Sequence, residues 1–183
     1  VALIAVVIGG LAYGMKLVLD DFSAAVQQKE TAGALAREMR QSSDDLTKYA
    51  RLYAQTKSAR FKDIYNAIVD IRAGKIDRPQ DYSATYWAKP PQDVKAALAK
   101  TGQKIALIEL MKQNGFTDRE LNLLAEANKK SNVLAERETI AFAALEGKGA
   151  SASLPMQPGE TPEAYANRIL SDATYISAKT EIA

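Results

Sequence analysis

Residues 20–56, DDFSAAVQQKETAGALAREMRQSSDDLTKYARLYAQT, are the stretch on which the fold turns. An apolar-or-small stripe runs through Ala25, Ala32, Leu35, Met39, Ser42, Leu46, Tyr49 and Tyr53, and its later steps alternate four and three. That is the heptad spacing of a bundle or coiled-coil seam. After Gly33 no glycine or proline intervenes until Gly74. Residues 20–56 therefore read as one helix, on the order of 50 Å long at about 1.5 Å per residue. Its other faces are polar, so it needs partner helices to be stable.

Downstream, Thr56-Lys57-Ser58 reads as a tight reversal with Ser58 as N-cap. A second helix follows on Phe61, Ile64, Ile68 and Ile71, with Gly74 at its C-terminal cap. Lys75 to Gln92 breaks the pattern with Pro79, Pro90 and Pro91 and with the aromatic cluster Tyr82, Tyr86 and Trp87. The spacing then predicts one helix on Val94, Leu98, Thr101, Ile105, Ile108 and Met111, stopping at Asn114-Gly115. Thr117 and Glu120 form a capping box, with Phe116 and Leu121 as its hydrophobic staple. The helix they start runs on Leu121, Leu124, Ser131, Leu134, Glu138, Ala141 and Leu145 to Gly147. After a loop rich in glycine, alanine, serine and proline, Thr161-Pro162 opens a short helix. A last helix begins near Asp172 on Tyr175, Ile176, Lys179 and Ile182. The expected fold is all-α, an up-down-up-down four-helix bundle with long helices.

Upstream, Val1 to Met15 (VALIAVVIGGLAYGM) carries no charge, and three more apolar residues follow Lys16 before Asp20 and Asp21. A spanning helix needs roughly 20 apolar residues. The run is slightly short, which fits a chain that starts inside a longer apolar segment; a signal-peptide core or a buried helix is the other reading. The expected division is a partial transmembrane helix over 1–19, continuous with the first long helix, and an extracytoplasmic domain over 20–183. Gly10 and Gly14 make a G-x-x-x-G pair of the kind that lets lipid-embedded helices approach closely.

Composition excludes several classes of function. The 183 residues carry 24 basic and 22 acidic side chains, a net charge of +2, and so offer no basic footprint for nucleic acid. There is neither cysteine nor histidine. That removes thiolate chemistry, the commonest general base and the commonest transition-metal ligand. No nucleophile–histidine set, zinc spacing, phosphate loop or dinucleotide glycine motif occurs. The expectation is a non-enzyme without cofactor or metal.

The run from Ser42 to Thr56 (SSDDLTKYARLYAQT) resembles the end of the first long helix in sensor regions of bacterial methyl-accepting chemotaxis receptors. The same sensor type occurs in hybrid histidine kinases. Arg60-Phe61, Tyr65, Ile68 to Lys75, Tyr86-Trp87, the turn from Leu110-Met111 to Gly115-Phe116-Thr117, the Asn128–Glu138 segment and Arg168 to Tyr175 continue the likeness. The resemblance implies a periplasmic bundle anchored in the bacterial inner membrane. It also implies a homodimer that passes the binding of a small molecule inward. Ligands vary within such families and do not carry over.

Two groups are candidates for ligand binding. Tyr49, Arg51 and Tyr53 lie at the distal end of the first helix, with Arg60 and Tyr65 just past the reversal. An arginine among tyrosines suits a carboxylate, which guanidinium pairs bidentately. Equally, the tyrosines sit on the seam as core residues, with Arg51 in water. Tyr86 and Trp87, with Tyr82, either clamp an aromatic or cationic solute or anchor the loop. Asn128, Ser131 and Glu138 fall on or beside the inward stripe, near Gln28 and Ser42. They read either as a polar layer that lets helices slide or as a rotated stripe with Glu138 in water. The acidic pairs Asp20-Asp21 and Asp44-Asp45 read as solvated. The expected function is a chemoreceptor sensor domain that signals by helix displacement. A kinase sensor domain, or a membrane-anchored structural or adaptor bundle without small ligand, is the alternative.

Overall fold

The computed structural model describes residues 2–99 and 102–181, and of residues 2–12 only the backbone. The described chain is all-α. It has seven helices: α1 (Ala2–Thr56), α2 (Ala59–Arg72), α3 (Val94–Leu98), α4 (Leu107–Gln113), α5 (Asp118–Leu145), α6 (Pro162–Ile169) and α7 (Ala173–Thr180). Only α1, with 55 residues, and α5, with 28, are long.

The seam of α1 is buried from Leu35 onward but not at its start, where Ala32 is half-buried and Ala25 exposed. Leu35, Ser42, Leu46, Tyr49 and Tyr53 are inside, Met39 is half-buried, and the helix is exposed over residues 13–30, Ala25 included. Gln28 is exposed and lies beside Gly115 at the α4–α5 turn. The remaining helices are in register along α1. α2 runs back along it, since Tyr49 stacks near Phe61 and Arg72 reaches Met39. α5 runs with it, because Phe142 meets Tyr53 while Phe116 and Leu121 pack with Leu35. α6 and α7 return against it, as Arg51 donates to the Leu170 carbonyl and Lys179 pairs with Asp44. One large core unites α1, α2, α5, α6 and α7 around Tyr49, Ile64, Ile68, Tyr165, Ile169 and Tyr175. A smaller one joins Leu35 to Leu107 and Met111 of α4.

The local start and stop signals act as read. Thr117 Oγ1 accepts the Glu120 N–H while the Glu120 carboxylate accepts the Thr117 N–H, closing the capping box. Thr161 and Asp172 cap α6 and α7 by accepting the N–H three residues on. Ser58 occupies the N-cap position of α2, but its side chain makes no capping bond. Beyond α2, Gly74 has φ +65° and the Lys75 N–H reaches the Asp70 carbonyl at 2.8 Å, a Schellman closure.

The stretch after Pro91 departs from the expected continuous helix. α3 ends at Leu98, residues 102–106 are extended, and α4 begins only at Leu107. Thr101, a member of the stripe that predicted one helix, lies outside the described residues. The extended piece is held by backbone. The Arg78 N–H donates to the Gln103 carbonyl at 3.0 Å. A Cβ on Gly102 would stand 2.2 Å from the Arg78 carbonyl oxygen, and one on Gly74 would stand 2.5 Å from the Ala106 nitrogen. Two glycines thus let two backbone segments touch, and that contact outweighs the local helical pattern of 94–111. Burial explains the pattern only in part: Val94, Ile105 and Met111 of the stripe are inside and Leu98 is half-buried, but Ile108 is exposed and its neighbour Leu107 is buried in its place.

No helix among the described residues is long and apolar enough to cross a membrane. The side chains of Val1–Ala12, including Gly10 of the G-x-x-x-G pair, and Ile182 of the last stripe lie outside the described residues.

Gly74→Ala should cost at least about 2 kcal/mol, because the substitution meets both a left-handed backbone and the Ala106 chain. Urea unfolding measures this. Loss confined to the few tenths expected of an exposed site would contradict the backbone contact.

Candidate functional site

Glu138 lies on the inward stripe of α5 and is 2 % exposed. Two phenols meet its carboxylate. The Tyr65 hydroxyl of α2 donates to Oε2 at 2.6 Å and the Tyr175 hydroxyl of α7 to Oε1 at 2.5 Å. Thr47 of α1 stands 3.4 Å from the Tyr175 hydroxyl. One carboxylate therefore joins α2, α5 and α7, and through Tyr175 reaches α1. Burial raises its affinity for a proton above the usual 4.5, and the two phenols, Lys179 and Arg51 offset this in part. The same burial, with the Glu138 charge, pushes both phenols upward. Of the polar positions read with it, Ser42 is buried, Ser131 is half-buried, and Asn128 and Gln28 are exposed. Of the two readings of these positions, the one that puts Glu138 in water does not hold. The inward stripes of α1 and α5 face one core, and two hydroxyl donors make burial of the carboxylate tolerable.

Asp45 also departs from its solvated reading. It is 3 % exposed and accepts from Gln41 Nε2 at 3.2 Å, and burial raises its proton affinity. Its neighbour Asp44 stays exposed and pairs with Lys179 of α7 at 2.8 Å.

One turn from the Glu138 joint, a cavity of about 170 Å³ opens between α1, α2, α5 and α7. Its apolar wall includes Met39, Leu124 and Ala127; its polar wall includes Ser43, Asn128 and Ser131. Three cations face it, Arg40, Arg72 and Lys179, against one acid, Asp44. A separate crevice of about 10 Å³, lined by Ser43, Thr47, Ser131, Glu138 and Lys179, lies between it and the joint.

The residues singled out from sequence are placed differently. The Tyr49 hydroxyl donates to the Trp87 carbonyl at 2.6 Å, and burial pushes it to about 12. Tyr53 packs edge-on against Phe142 and approaches Glu146; Tyr65 belongs to the Glu138 joint. Arg51 donates to the Leu170 carbonyl at 3.0 Å and lies over the Tyr175 ring. Arg60 donates to Gln92 at 2.7 Å and lies over Phe61. Tyr86 donates to the Ala97 carbonyl, and Trp87 to the Tyr82 hydroxyl. Tyr49 and Trp87 meet, and so do Tyr86 and Trp87, but the seven do not converge on one cavity. Their polar ends are engaged in tying helix to helix and loop to bundle.

Arg72 and Lys179 were not singled out from the sequence. Arg72 had a usable signal: it stands four residues after Ile68 and seven after Tyr65, a guanidinium on the buried stripe of α2. Lys179 had none, because its partner Asp44 is 135 positions away by subtraction of their numbers.

No group of three or more acidic side chains placed to hold a metal ion occurs among the described residues. Comparison of the chain with family profiles, curated proteins and solved structures gave no match.

Because the folded state holds the Glu138 proton more tightly than the unfolded chain, its contribution to stability is complete below about pH 4.5 and is lost as pH rises through the raised folded value. Glu138→Gln should remove that dependence, so the variant gains on wild type as pH climbs above 4.5. Urea midpoints from pH 4 to 8 test this, and parallel curves would contradict it. Tyr65→Phe and Tyr175→Phe should each cost about 1–3 kcal/mol, the range for leaving a buried polar group without its hydrogen-bond partner.

Proposed function

We propose that the chain is the extracytoplasmic sensory domain of a bacterial transmembrane chemoreceptor, set in the inner membrane with the domain in the periplasm. It binds a small solute between its helices and passes the event inward by helix displacement. The architecture in this reading is an up-down-up-down four-helix bundle. α1 and α5 run one way; α2 with α4, and α6 with α7, form the two returning arms. Residues 1–19 are a partial membrane anchor, and the receptor works as a homodimer. The exposed apolar side chains Tyr13, Leu17, Val18, Leu19 and Phe22 at the start of α1 support a lipid or partner-helix contact there.

The observation that carries the reading is the interhelical cavity. Its walls come from the first helix, the last helix and two between, so a solute inside touches the elements that enter and leave the domain. Asp44–Lys179 crosses from α1 to α7 at the same place. A ligand shifts such a packing only if it binds one arrangement better than the other. A site shared between α1 and α7 meets that condition, because sliding α7 changes the site's shape.

A thermal-shift screen against organic acids, amino acids, amines, alcohols and sugars tests the proposal. A true ligand at about 100 times its dissociation constant stabilises the fold by about 2.7 kcal/mol. One class should raise the melting temperature saturably. If no class does so, the structural or adaptor reading replaces the sensory one.

A further inference from the structure

Arg72 is the residue whose surroundings are hardest to explain by structure alone. It is the last residue of α2, mostly removed from water, and burial works against its charge. Buried arginines are ordinarily paired with carboxylates. Among the described residues Arg72 makes no ion pair, and its one recorded side-chain contact of this kind is to the thioether sulfur of Met39 at 3.2 Å. A thioether is a weak acceptor, whereas a guanidinium offers five donors. The surplus donors border the cavity.

The rest of the lining completes a charge pattern. Arg40 also makes no ion pair among the described residues, and it faces the same space. Lys179 is half-occupied by Asp44, whose side chain remains 53 % exposed. Two arginines without an ion pair among the described residues thus border the cavity, Arg72 half-buried with the Glu38 and Glu138 carboxylates acting on it from a distance and Arg40 exposed, beside a wall of Met39, Leu124 and Ala127. At about 170 Å³ it is smaller than the roughly 300–1,000 Å³ of pockets for drug-sized ligands, yet far larger than one water requires.

We propose that this cavity binds a small organic carboxylate, its anionic end held by Arg72 and Arg40 and its apolar body laid against Met39, Leu124 and Ala127. The assignment rests on the sensory reading above and deepens it. Arg72 supplies a planar fork that matches a carboxylate bidentately, and the low-polarity wall strengthens the pairing by excluding water. The half-buried Ser131 and the Asn128 amide are placed to accept or donate to a polar substituent. A carboxylate here also attracts Lys179, in competition with Asp44, and so loosens the one ion pair seen between α1 and α7 among the described residues. Recognition and displacement of the last helix then arise from the same charge.

Near-isosteric probes that differ in charge give the test: benzoate, benzylamine and benzyl alcohol, with isovalerate as a second anion. Each is titrated into the full 183-residue chain by calorimetry. Benzoate or isovalerate should bind saturably, at least tenfold tighter than the amine or the alcohol. Arg72→Met should weaken that binding at least tenfold, with Arg72→Lys recovering part of it. Should Arg72→Met fail to fold, Ala127→Leu keeps every charge and fills the cavity, and it should block binding with the melt otherwise intact. Preferential binding of benzylamine or benzyl alcohol overturns the carboxylate assignment and leaves the sensory reading standing. Carboxylate binding indifferent to both Arg72→Met and Ala127→Leu overturns the site. No binding of any probe at 10 mM (about the weak end of ligand affinities) overturns the assignment, while the broader screen decides the sensory reading on its own.

Discussion

A carboxylate with almost no access to water, held by two phenols from different helices, is the constraint on which the packing depends. Glu138 projects from α5 into the space where α1, α2 and α7 meet, and among the described residues it makes no ion pair there. Its burial is tolerable only while Tyr65 and Tyr175 both donate to it. That requirement fixes three helices at one height, since moving any of them by a turn strands a charge or a hydroxyl. Apolar contacts such as those among Ile64, Ile68 and Ile169 are less particular about register. The buried polar joint therefore sets alignment, within a core that is aromatic as well as aliphatic.

The cavity lies beside this joint and shares α7 with it. Lys179 lies on the last helix four residues after Tyr175, so the same face of α7 meets Glu138 at one point and the cavity at the next. Cations outnumber acids along the cavity lining, whereas the joint holds its carboxylate with two hydroxyl donors. In the proposed sensory reading, α7 is the element that shifts, because few directional contacts fix it. The surrounding aromatic network is of another kind. Tyr49, Trp87, Tyr82 and Tyr86 bond to one another or to backbone carbonyls, which locks the 75–92 segment onto α1 and α3.

Much of the fold was legible because its signals are local. The 3–4 stripe of α1, the Thr117 capping box, Thr161-Pro162 and Asp172 each act through residues within a turn of one another, and each stands where the sequence placed it. The break between Leu98 and Leu107 was not legible. It is enforced by Gly74 and Gly102 meeting backbone from a distant segment, and no helical periodicity registers that. Glu138 was visible as a polar residue on an apolar stripe, but its two donors, 73 and 37 positions away, were not. Tyr49 and Tyr53 read in two ways from sequence, and the structure gives both a core setting. Arg72 stood on a buried face in plain view. It meant little until the cavity it borders, a three-dimensional fact, was known.

The central claim is that α7 has two packings against α1 and that the contents of the cavity choose between them. Spin labels at two exposed positions, Lys48 on α1 and Ser177 on α7, would report the separation directly by pulsed electron resonance. The account predicts a distance distribution that changes when a cavity-binding carboxylate saturates the protein, and that no longer responds in Arg72→Met. Superimposable distributions with and without the bound solute would contradict it.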